Sequence, residues 1–158
     1  MVATNEFSAN LELQHIYLEA YNERYHSLRQ YFEAYYCYRH NLVTRHGKPE
    51  WQQIYSFARS SIKAKTCSSR KDKVRVLVLP LSVLTGKLKA LVRDDELSVE
   101  SIAQLLDQHL DYVILSRSEW QKITQLGYED RMPASFYQAD KTGYQDAMYR
   151  FNLAEIQF

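Results

Sequence analysis

Val74-Arg75-Val76-Leu77-Val78-Leu79, closed by Pro80, is the stretch on which the fold class turns. β-Branched residues recur there in partial alternation, and proline cannot continue a ladder, so the segment reads as a strand that stops or lies at a sheet edge. The chain before it has a different period. Placed at 100° steps, Tyr17, Tyr21, Tyr25, Leu28, Tyr31, Phe32, Tyr35, Leu42 and Val43 share one arc of Asn10 to His46. Glu12, His15, Glu19, Glu23, His26, Glu33 and Thr44 fall opposite. This predicts one long amphipathic helix, capped by Ser8 or Asn10 and stopped by Gly47. Lys48-Pro49-Glu50 then suits a helix start, with Trp51, Ile54, Tyr55, Ala58 and Ile62 on one face of a second helix. The two form a hairpin over residues 10–66, and Thr66 to Asp72, rich in serine and charge, reads as a flexible connection.

After Pro80, Leu81 to Val92 fits either a short helix through Leu84, Leu88 and Leu91 or a hairpin turning at Thr85-Gly86. Ser98 caps a helix carrying Val99, Ile102, Leu106 and Leu110, and Tyr112-Val113-Ile114-Leu115 reads as a short buried strand. Ser116 and Glu119 have capping-box spacing, opening a helix that Gly127 stops. The remainder is irregular, with one helix around Gln145 to Phe151. The expectation is an α+β fold: a helix-dominated single domain over 1–158, with a long N-terminal helical hairpin (10–66) and an α+β portion holding a small sheet (73–158).

Composition narrows the class. The longest apolar runs, near Val76 to Leu81, fall far short of the roughly 20 residues of a spanning helix. Met1 to Asn10 lacks a basic start followed by an apolar run, and Cys37 and Cys67 have no metal-like spacing. Both cysteines read as reduced thiols in a cytoplasmic protein.

Charge is sorted along the chain. Met1 to Gly47 carries four Arg against five Glu, Lys48 to Val92 ten Lys and Arg against Glu50 and Asp72, and Arg93 to Phe158 six against twelve. A formal +1 therefore conceals a basic middle and an acidic end. Arg59, Lys63, Lys65, Arg70, Lys71, Lys73 and Arg75 form the candidate site for nucleic acid or another polyanion, with Ser68 and Ser69 as further phosphate donors. The bland reading is a solvated face satisfied by Asp94, Asp95 and Glu96. Tyr17, Tyr21, Arg24, Tyr31, Tyr35 and Arg39 form a candidate interface with a second copy or a protein partner, since Tyr and Arg are enriched at interface centres. An aromatic stripe at helical spacing is also the ordinary mark of a core.

Catalytic patterns are thin. Glu12 with His15 and Glu23 with His26 share one expected helix on its solvent side, about 16 Å apart at the α-helical rise, so no metal or cofactor is expected. Thr85-Gly86-Lys87 lacks the remaining residues of a phosphate loop, and no Cys-x-x-Cys, His-Glu-x-x-His or Gly-x-Ser-x-Gly occurs. His109 beside Asp111, with Glu129 further on, is the sole support for a small hydrolase. The sequence therefore points to a non-enzymatic accessory or regulatory binding protein whose basic segment meets nucleic acid or an acidic protein surface. The acidic end would compete for that segment. The runner-up is a structural homo-oligomer without affinity for nucleic acid.

Overall fold

The computed structural model describes residues 2–158, with side chains from Asn5 onward. It is α+β and helix-dominated, with an N-terminal helical hairpin and a small sheet. The chain divides into two compact units, residues 1–56 with 84–110 and residues 57–83 with 111–158.

The first unit opens with the hairpin, α1 (Val2–Tyr21) against α2 (Leu28–Arg39). The turn falls inside the expected single helix, and α1 begins before Ser8 and Asn10. At the break, Asn22 Nδ2 donates to the Leu18 carbonyl (2.7 Å), and Glu23 adopts φ 55°. The Arg24 and Glu23 amides then donate to the carbonyls of Glu19 (2.8 Å) and Ala20 (3.0 Å), which is a Schellman stop with glutamate in the left-handed position usually taken by glycine. Ala9, Leu13, Ile16 and Ala20 of α1 and Leu28, Phe32, Tyr36 and Cys37 of α2 are buried.

Pro49 does not start a long helix. It pairs with Val43 in an isolated bridge that closes a turn at Gly47, whose φ is 78°. Helical structure resumes only as a 3₁₀ turn at Trp51–Gln53 and one turn, α3 (Ile54–Phe57). Residues 84–110 return to this unit. They carry most of α5 (Leu81–Arg93), which resolves the ambiguity at Thr85-Gly86 in favour of helix, and α6 (Val99–His109), which packs on α1. Ser98 and Ser101 form a reciprocal capping box at the start of α6.

The second unit is built on a three-stranded sheet ordered β1 (Arg59–Ser60), β3 (Tyr112–Ser116), β2 (Lys73–Leu77). Edge strand β1 runs parallel to β3, and β2 antiparallel. Every residue of β3 is buried, as a central apolar strand requires. The helical period of Trp51 to Ile62 is overridden here, because the backbone of Arg59-Ser60 pairs with β3 instead of continuing a helix. Val76, Val78, Val113 and Leu115 pack with Ile123 of α7 (Arg117–Gln125) and Phe151 of α8 (Tyr149–Leu153). Ser116 caps α7 and Glu119 closes the box, with Gly127 at φ 82° ending it.

Candidate polyanion-binding surface

All seven basic candidates lie in the second unit. The fold also redistributes charge. That unit holds twelve Lys and Arg against eight Asp and Glu, and the first holds eight against eleven. The acidic end of the sequence is therefore not one body: residues 93–110 join the first unit, and 111–158 supply the central strand on which the basic segment is built.

Arg59 sits on β1; Lys63 and Lys65 on α4 (Ile62–Lys65); Arg70 and Lys71 on a 3₁₀ turn at Arg70–Asp72; Lys73 and Arg75 on β2. The connection Thr66 to Asp72, expected to be flexible, is held by local hydrogen bonds. Thr66 Oγ1 donates to the Lys63 carbonyl (2.7 Å), the Cys67 amide to Ala64 (3.1 Å) and the Asp72 amide to Ser69 (3.1 Å). The Cys67 thiol reaches the carbonyls of both Lys63 (3.6 Å) and Asp72 (4.0 Å), so the end of α4 is tied to the turn carrying Arg70 and Lys71. Ser61 caps α4 and donates its hydroxyl to the buried Glu119 carboxylate (2.6 Å), which also accepts the Ser116 amide (2.9 Å). Two serines and one carboxylate thus fix both helix starts flanking the basic segment.

The arginines of the block are engaged by the fold. Register places Arg59 beside Val113 and Val76, and Arg75 beside Ile114 and Ser60, so the two project from opposite faces of the sheet. Arg59 lies over the Phe158 ring (4.7 Å) and Arg75 over the Tyr112 ring (5.4 Å). The lysines differ. Lys63, Lys65 and Lys71 are exposed, Lys73 is half-exposed, and among the described residues none of the four ammonium groups has a carboxylate partner. Lys63 shares a cleft of about 230 Å³ with Ile62, Lys122, Glu119, Glu155 and Gln157. Asp94, suggested as a partner for the block, is instead bound by Arg93 (2.9 and 3.1 Å).

Sequence windows missed two arginines of this unit. Arg117, the first residue of α7, donates Nε to the Lys71 carbonyl. Arg150 is 1% exposed; Nη1 donates to the carbonyls of Tyr128 (2.7 Å) and Glu129 (3.1 Å), and Nη2 to that of Leu77. Burial lowers its pKa to about 10, with Asp130 opposing the shift. No charge run marks it, since a buried cation held by carbonyls leaves no linear pattern.

The tyrosine candidates separate by depth. Tyr35 is buried, donating its hydroxyl to Asp107 (2.7 Å), and the Arg39 guanidinium pairs with the same carboxylate (3.2 Å at both oxygens). Burial and that carboxylate raise the pKa of Tyr35. Tyr31 is half-buried beside the His15 ring (5.2 Å). Tyr17 and Tyr21 stack at 5.9 Å near the end of α1, with Tyr21 exposed, and Arg24 reaches Glu19 (3.8 Å).

The Glu-x-x-His pairs do not share a helix. Glu12 and His15 lie 3.5 Å apart on α1, while Glu23 and His26 belong to the break before α2. Among the described residues no group of three or more His, Cys, Asp and Glu is placed to hold a metal ion. His109 is half-buried at the end of α6, where burial and Lys87 lower its pKa. Asp111 accepts the Tyr112 amide (2.8 Å), and Glu129 is exposed. Among the described residues no helix is long and apolar enough to cross a membrane. No family model, curated protein or solved structure matches the chain.

Proposed function

We propose that this chain is a non-enzymatic accessory binding protein of the cytoplasm, whose second unit follows the phosphate backbone of nucleic acid. Lys63, Lys65, Lys71 and Lys73 make the contacts, and Arg59, Arg70 and Arg75 flank them. One observation carries the reading: these four ammonium groups have no carboxylate partner among the described residues, whereas Arg24, Arg39 and Arg93 of the first unit each have one. A lysine on a hydrogen-bonded scaffold without an internal partner is free to exchange its counterions for phosphates, and that exchange drives non-specific binding. Ser68, exposed beside them, is a further donor to phosphate oxygens.

The test is binding of the nuclease-treated chain to labelled duplex DNA, single-stranded DNA and RNA across a salt series. Four phosphate contacts give a log–log slope of about −3 to −4. K63E/K65E/K71E/K73E should abolish binding at moderate salt while leaving the fold intact. Absence of binding at low salt, or a slope unchanged in the variant, overturns the proposal. Binding of an acidic protein, lost in the same variant, would move the surface to that class of partner.

A further inference from the structure

Helix α1 carries apolar side chains on two opposite faces. The inner stripe, Ala9, Leu13, Ile16 and Ala20, is buried in the first unit. At 100° per residue, Phe7, Leu11 and Leu18 cluster within about 30° of the diametrically opposite line, with Tyr21 alongside. Their exposures are 72%, 41%, 57% and 67%. Scattered exposed hydrophobics are ordinary, but a continuous row along one helix marks an interaction surface. Positions 7, 11, 14, 18 and 21 alternate spacings of four and three, the period of a coiled-coil seam, and the middle one is polar Gln14.

We infer that this stripe is the seam of a homodimer in which α1 packs antiparallel against α1 of a second copy. The row is self-complementary under a two-fold axis at Gln14: Phe7 meets Tyr21, Leu11 meets Leu18, and the two Gln14 amides meet each other, each with a donor and an acceptor to exchange. Antiparallel packing also opposes the two macrodipoles. The borders of the stripe suit a copy of itself. Asn10 and Tyr17 on one side and Ser8, His15 and Asn22 on the other carry no formal charge at pH 7, while Glu6, Glu12 and Glu19 sit toward the inner side. Residues 5–21 contain no Lys or Arg, so the helix offers no cation to an anionic membrane. The exposed parts of the four apolar side chains come to roughly 450 Å² per copy. With Asn10, Gln14 and Tyr17 added from both copies, the total reaches the roughly 1,200 Å² at which specific interfaces begin.

Sedimentation velocity on the full chain over a concentration series tests this. Wild type should reach a reversible dimer; Leu18→Glu should raise the dissociation constant about a hundredfold or more. The helical circular dichroism of that variant should be unchanged, because residue 18 is exposed. Gln14→Leu should tighten the dimer about tenfold by making the seam wholly apolar. Mixing Leu11→Cys with Leu18→Cys chains should give a disulfide-linked heterodimer, which fixes the antiparallel direction. If Leu18→Glu fails to fold, Phe7→Ser serves in its place. A wild type that stays monomeric at the highest concentration, or a dimer indifferent to both substitutions, overturns the inference. So does flotation of a monomeric wild type with phosphatidylcholine vesicles that is lost in Leu18→Glu, since the stripe then belongs to lipid.

Discussion

Three arginines of the first unit, Arg24, Arg39 and Arg93, sit on carboxylates, whereas Arg150 of the second is held by main-chain carbonyls. Asp107 receives Tyr35 and Arg39 together at the junction of α2 and α6, and Arg24 and Arg93 each find an acid nearby. In the second unit the buried cation Arg150 binds three main-chain carbonyls, and the four lysines carry their charge to solvent. The difference separates two uses of positive charge. Paired arginines at the rim of the first unit position helices at little net gain, because exposed ion pairs contribute on the order of 0–1 kcal/mol. Arg150 gathers the end of β2, the Tyr128-Glu129 loop and α8 around one planar group. Lys63, Lys65, Lys71 and Lys73 make no ion pair among the described residues, and it is on their charge that the proposed phosphate contact rests.

Arg150→Met is expected to cost the most stability. It strands the carbonyls of Leu77, Tyr128 and Glu129, each satisfied now by a guanidinium, and should cost about 3 kcal/mol in denaturant unfolding. A loss below about 1 kcal/mol would mean that water replaces the guanidinium and that the clamp is incidental. Tyr35→Phe probes the other side. Asp107 keeps Arg39, so only one hydrogen bond is lost, and the cost should be near 1 kcal/mol by the same measurement. The smallest effect is on pH. The folded chain holds the His109 pKa below its ordinary 6.5, so the unfolded chain binds the proton first as pH falls. The contribution of neutral His109 is full above 6.5 and lost progressively below it. Thermal melts from pH 8 to pH 5 should show this decline, and His109→Gln should remove its share. An unchanged slope in the variant would assign the pH dependence to other groups.

Much of the second half was legible in the sequence because its signals are local. Ser98, Ser116 with Glu119, Gly127 and Pro80 each mark an element boundary by their own chemistry, and the structure uses all of them. The first half misled for an equally local reason. Helices α1 and α2 end in left-handed residues that are not glycine, Glu23 and Asn41. A left-handed glutamate costs about 1–2 kcal/mol and announces nothing in the sequence, so the α1–α2 turn vanished into a continuous helical period. Arg59-Ser60 was hidden differently, since only pairing with a strand over fifty residues away makes it extended. The basic surface was half legible: its lysines stand out in a charge window, whereas the engagement of Arg59 and Arg75 by Phe158 and Tyr112 depends on register.

The strand order has a consequence for biosynthesis. β1 and β2 do not touch; β3 lies between them and leaves the ribosome last, some 35 residues after β2 ends. At roughly 5–20 residues per second the two outer strands wait seconds for their only template. From Arg59 to Leu77 the waiting segment carries seven Lys and Arg against Asp72, and like charges on open strand edges discourage pairing with other chains. The charge on which the proposed polyanion contact rests would thus also discourage mispairing of the emerging polypeptide until its sheet can close.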